Sequence, residues 1–174
     1  MNPLQTAAGR LGRGLITWPD ARGWRDVAGI AVVTAGAMPA IGAPLGFVRY
    51  APRGLAALAP TLPVIFVAPA LLEESVFRGL FVPDRSENAR PWLAIALVTA
   101  AFTLWHAIEA LTFLPRARPI FLTPGLLGCA AALGAGCAIA RWRTGSLWPP
   151  ILMHWLTVAA WQGLFGGPAV PSLW

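Results

Sequence analysis

The sequence predicts an all-α protein: a bundle of about five transmembrane helices with an interfacial helix at its amino end. Three observations carry this expectation. Of 174 residues, 57% are hydrophobic and 11% charged, against roughly 25% charged in an ordinary soluble domain. The charges cluster, leaving five apolar runs, each near the ~20 residues that cross a bilayer. All thirteen basic residues are arginine, and most sit in the short connections between those runs. The length fits a single domain. The net charge of +6 reads as headgroup contacts and topology signals. Nucleic acid is not expected as a partner, because no basic cluster alternates with aromatics in a polar segment.

Residues 1–26 hold Arg10, Arg13, Arg22 and Arg25 with Trp18 and Trp24 between them, the composition of a segment lying on a membrane surface. The first apolar run starts near Val27, too far in and too long for a secretory h-region, so the amino end is expected to stay on the mature protein. The expected runs are Val27–Val48, Gly54–Phe81, Trp92–Leu114, Ile120–Ala140 and Ser146–Phe165. Together they make a membrane domain over 27–166, followed by a short tail, 167–174. Prolines 39, 44, 60, 63 and 69 interrupt the first two runs and are tolerated where neighbours re-satisfy the freed backbone groups. In the fourth run Gly128, Ala132, Gly136 and Ala140 recur every four residues, a stripe that lets another helix approach closely. Cys129 and Cys137 lie in the same run and read as small packing residues, not a disulfide or a metal pair.

Loop arginines give the orientation. With the amino end cytoplasmic, that side holds Arg10, Arg13, Arg22, Arg25, Arg85, Arg90, Arg141 and Arg143; the other holds Arg49, Arg53, Arg116 and Arg118. Eight against four favours an amino end inside, in a plasma or bacterial inner membrane.

Ionisable residues within spans are costly and point to function. Here they are Glu73, Glu74 and Arg78 in the second run, His106 and Glu109 in the third, and His154 in the fifth. At 1.5 Å per residue, Glu73 lies ~14 Å from the end of its helix near Val82, His106 ~21 Å from Trp92 and His154 ~12 Å from Ser146. Those three ends share one side of the membrane, so a carboxylate and two imidazoles are expected to converge inside the hydrocarbon, nearer the cytoplasmic face. A Glu in low dielectric suits a general base working near neutral pH. One histidine can hold its water, and the other can donate to the oxyanion formed when that water attacks a carbonyl. Arg78 stands i,i+4 from Glu74 and can hold that carboxylate ionised, leaving Glu73 free to act. Glu109 is left outside the site, as a residue that snorkels or binds a backbone group.

Glu73-Glu74-Ser75-Val76-Phe77-Arg78 has the form EExxxR, Phe102 to His106 has the form FxxxH, and His154 follows in a later helix. Order and spacing over about residues 60–165 resemble the CPBP family (CAAX protease and bacteriocin-processing, or Abi) of intramembrane endopeptidases. The resemblance implies that Glu73 activates water, His106 helps to position it, and His154 stabilises the oxyanion. It implies that Glu74, Arg78 and Phe102 support them. No cofactor is then required, though two histidines and a glutamate leave a zinc version open. The substrate implied is a membrane-associated protein or peptide. The HWLTVAAW segment is also similar to a bacterial branch that processes short C-terminal sorting tags.

One position departs from the pattern. The family's oxyanion-stabilising asparagine falls at Val158, which cannot donate a hydrogen bond. Thr157, or Gln162 one turn further on, is the candidate substitute. Without one, the loss of such a donor costs roughly 100-fold or more in rate. Val158 therefore keeps a second reading open, a membrane immunity or chaperone-like protein that has kept the fold and lost the chemistry. A proton-coupled transporter is disfavoured by small size and the lack of repeated halves.

Overall fold

Proline decides the shape of the second apolar run. The computed structural model describes residues 3–169; residues 170–174 of the expected tail and residues 1–2 lie outside the described residues. Within it, seven helices follow one another: α1 Pro3–Ile16, α2 Ala21–Gly42, α3 Ala56–Leu80, α4 Trp92–Leu111, α5 Arg118–Phe121, α6 Pro124–Thr144 and α7 Trp148–Leu164. The described residues form no strand, only an isolated bridge between Ala51 and Phe165.

Helix α3 changes pitch along its length. A 3-10 turn at Ala59–Thr61 gives way to α-helix, then to a wide π turn at Phe66–Leu71 that contains Pro69. Proline has no N–H and its ring clashes with the carbonyl four residues back, so a wider turn relieves it. A second π turn covers Ser75–Leu80. Glu73 and Glu74 sit on the short α-helical stretch between the two.

Helices α3, α4 and α6 are long and apolar enough to cross a membrane. The first and fifth expected runs do not meet that measure. Helix α2 starts at Ala21, earlier than Val27, because the Asp20 carboxylate caps it by accepting from the Gly23 N–H at 2.7 Å. Arg22, Arg25 and Asp26 thus enter its first turns and dilute it. Helix α7 has 17 residues, about 25 Å of rise. The fourth run breaks at Leu122–Thr123, where the Thr123 hydroxyl accepts from the Leu126 N–H and Pro124 opens α6.

Helix α6 is the hub. Its small-residue stripe faces α2: a Cβ at Gly128 would meet Ile41 Cγ2 at 2.7 Å, and one at Gly136 would overlap the Thr34 side chain. Gly145, at φ 67°, ends the helix in a left-handed turn that few side chains tolerate. Large apolar side chains on the other helices point outward, among them Val32 and Val33, Leu72 and Val76, Leu93 and Leu97, and Leu156.

The connections gather on two faces. On one, α1 packs against the end of α3, with Leu11 over Gly79, and Arg10 and Arg13 both pair with Glu87. Arg143 pairs with Asp26 at 2.7 Å, and the Trp142 indole donates to the Asn88 carbonyl at 2.9 Å. Asp84 organises the loop between α3 and α4. Burial pushes its carboxyl up, but the Ser86 hydroxyl, the Glu87 and Ser86 N–H groups and nearby Arg141 together hold it below the usual aspartate value. On the opposite face the Ala51 and Arg53 N–H groups donate to the Leu164 and Gly163 carbonyls, and Phe47 stacks near Trp161.

Candidate active site

The π turns of α3 point its two glutamates at different partners. Glu74 is fully buried, and its Oε1 accepts from Arg78 Nη1 at 3.0 Å and from His154 Nδ1 at 2.9 Å. The expected i,i+4 pair thus forms, and it takes His154 with it. Arg78 also donates from Nη2 to the Gly134 carbonyl at 3.0 Å. Sequence reasoning missed Gly134, where a Cβ would crowd Phe102 at 3.1 Å and Arg78 Nη2 at 3.3 Å. Nothing marks this glycine among the many small residues of its run.

Phe102 is where the motifs meet. Its ring lies under the Arg78 guanidinium, 4.1 Å from Cζ to centroid, a cation–π contact strengthened by burial. It stands edge-to-face with His106 at 4.9 Å and with His154 at 5.7 Å. The FxxxH spacing stacks Phe102 and His106 on one helical face, and the Phe102 carbonyl lies 2.9 Å from His106 Nδ1. A carbonyl only accepts, so Nδ1 carries the proton and Nε2 of the neutral ring is left as an acceptor. By the same rule His154 donates from Nδ1 to the Glu74 carboxylate.

Glu73 has no such anchoring. Its Oε2 is shielded and makes no hydrogen bond. Together with His106 and His154 it lines a largely apolar cavity of about 500 Å³. Thr157 and Val158 line it too, whereas Gln162 does not: its Oε1 accepts from the Thr61 hydroxyl at 3.2 Å. Of the two candidate substitutes for the absent asparagine, only Thr157 faces the cavity. Glu109, left outside the site by the sequence reading, also lines it, three residues after His106 on the same face. That spacing was the available signal.

The cavity runs away from the α1 face, not toward it. Beyond the ionisable groups its wall is built by Phe47 and Val48 before α3, Phe113 after α4, Phe121 of α5 and Phe165 after α7. Distances counted from helix ends give depth, but the opening is set by which connections leave room. Among the described residues, no group of three or more His, Cys, Asp or Glu is arranged to hold a metal ion.

A bundle with three membrane-length helices that carries EExxxR and FxxxH motifs resembles the intramembrane peptidases. Comparison with protein families makes it particular: residues 53–160, more than half the chain, match the type II CAAX prenyl endopeptidase Rce1-like family. The chain belongs to that family and is an integral membrane protein. No curated protein and no solved structure matches it.

Proposed function

We propose that the protein is a glutamate-dependent intramembrane endopeptidase that cuts a membrane-associated protein or peptide. The observation that carries this is the division of labour between adjacent carboxylates. Glu74 is tied to Arg78 and His154, while Glu73, with one carboxyl oxygen free of hydrogen bonds, lines the cavity together with His106. Glu73 takes a proton from a water that His106 Nε2 helps to hold, and the water oxygen bonds to the carbonyl carbon. His154 donates from Nε2 to the oxyanion when its ring carries both protons, a charge that the Glu74 carboxylate balances. Helices α2 and α7 complete five spans, with the amino end cytoplasmic. No metal is required.

The test uses the purified protein in nanodiscs with a library of lipid-anchored, internally quenched peptides. Wild type should cleave members of the library, with or without a chelator, and Glu73→Gln and His106→Ala should not. Equal turnover by the Glu73 variant would overturn the mechanism, and loss with chelator would restore a metal.

Val158 in the cavity wall favours a second reading, a binding protein that has lost the chemistry. It predicts no cleavage by wild type, and a cellular function that survives Glu73→Gln and His154→Ala.

A further inference from the structure

Thirteen arginines give the chain its charge of +6, yet none of them lines the cavity. The residues that do line it include two carboxyls, Glu73 and Glu109, and no cation of fixed charge. Glu73 has its part in the proposed reaction, and Glu109 has none. A carboxyl in an apolar wall within a membrane span is costly to keep and points to a use.

Glu109 is 9% exposed, and among the described residues it forms no ion pair. Arg78 is committed to Glu74 and the Gly134 carbonyl. Arg118, beyond the end of α4, donates to the Ala110 and Leu111 carbonyls. The Trp105 indole lies beside Glu109, but its Nε1 makes no hydrogen bond of ordinary geometry. Glu73 Oε2 is shielded and unpartnered, whereas neither oxygen of Glu109 is shielded in that way.

Its place along α4 says what it can reach. Three residues separate it from His106, so it lies on the same helix face, ~4.5 Å further from the α1 face. Phe113 and Phe121 line the cavity with it. The Phe121 ring lies 5.4 Å from the His106 ring, and the Phe113 ring 5.5 Å from the Trp105 indole. One carboxyl and several aromatic rings thus share this stretch of wall, and aromatic faces accept a cation as readily as an apolar chain.

We propose that Glu109 is a specificity-determining residue: it pairs with a basic side chain, lysine or arginine, that the substrate carries close to the scissile bond. The proposal deepens the peptidase reading above, on which it rests, by naming the substrate class. The stem of the basic residue packs along the aromatic wall while its charged head meets the carboxylate. Away from water a charge is tolerated only when it is paired, so an apolar residue of similar shape leaves Glu109 unmatched and binds more weakly. An extended chain advances about 3.3–3.6 Å per residue. The basic residue therefore falls within about two residues of the bond that the water attacks.

The test uses pairs of lipid-anchored peptides in nanodiscs of zwitterionic lipid. Members of a pair differ only in carrying lysine or norleucine, which keeps the stem and removes the charge, at one position near the cut. At one or more of these positions wild type should cleave the lysine peptide with a KM at least about tenfold lower, the size of one charge-assisted hydrogen bond. In Glu109→Gln that ratio should fall to near one. No lysine preference in wild type, or a preference that Glu109→Gln keeps, overturns the proposal and leaves the Glu73 reading intact. Binding gives a readout without turnover and removes Glu73 as a seat for the cation. Glu73→Gln should hold the lysine peptide at least about tenfold more tightly than its norleucine partner, and the double variant Glu73→Gln/Glu109→Gln should not. A double variant that binds neither peptide makes Glu109 part of the scaffold and overturns the proposal. If wild type cleaves nothing while Glu73→Gln still shows a preference that depends on Glu109, the peptidase reading falls and the cation site stands.

Discussion

Arg78 is the residue on which the buried polar cluster depends. It is fully buried, and it joins Glu74, the Gly134 carbonyl and the Phe102 ring in one contact set. Removing it leaves the Glu74 carboxylate buried with only His154 beside it, and an orphaned buried charge costs about 3–5 kcal/mol. Arg78→Met should therefore lower unfolding stability in detergent by roughly that amount. The double variant Glu74→Gln/Arg78→Met should recover much of it, because a neutral pair carries no stranded charge. Equal melting of wild type and Arg78→Met would show that the pair is dispensable. At this scale the EExxxR spacing told which glutamate would be paired. It could not tell that His154 would join that pair, since the contact spans 80 residues of sequence. Nor could it show Phe102 beneath both histidines; the motif marks the residue without saying what it touches.

Helix α6 shows how an element can be legible while its partner is not. The four-residue spacing of Gly128, Ala132, Gly136 and Ala140 states that some helix comes close, and only the fold shows that it is α2, through Ile41 and Thr34. Replacing Gly136 with valine forces side-chain atoms into the space of Thr34, and overpacking of this kind costs about 1–3 kcal/mol. Gly136→Val should melt earlier than wild type, whereas Gly29→Val, where a Cβ would meet nothing within 4 Å, should melt close to wild type after allowing for helix propensity. Similar losses at both positions would mean that valine in a helix, not the α2 contact, sets the cost. The π turns of α3 divide in the same way. Pro69 marks the first in the sequence. The second has no proline within it and coincides with Arg78 reaching Gly134 and Gly79 lying under Leu11, contacts between distant segments that local sequence does not encode.

At the scale of the whole molecule, the question is which side of the membrane the cavity serves. Val32 and Val33 on α2 and Leu156 on α7 point outward, as do apolar side chains of the three longer helices, and exposed apolar surface of this kind marks contact with lipid or with another protein. Reading α2 and α7 as spans gives five crossings. The loops then fall on two faces: Arg10 and Arg13 pair with Glu87, and Arg143 with Asp26, on the α1 face, and the Ala51–Leu164 and Arg53–Gly163 contacts close the other. With the α1 face cytoplasmic, as proposed from the positive-inside rule, the cavity, walled by Phe47, Phe113, Phe121 and Phe165, extends toward the outer face. Single cysteines at Asn88 and Thr112 test this, both being exposed, while native Cys129 and Cys137 are buried. In intact cells a membrane-impermeant maleimide should label Thr112→Cys and spare Asn88→Cys until the membrane is permeabilised. The reverse pattern would place the cavity on the cytoplasmic side. Labelling of both in intact cells would mean that the helices do not divide the loops between two faces, and the five-span arrangement would fall.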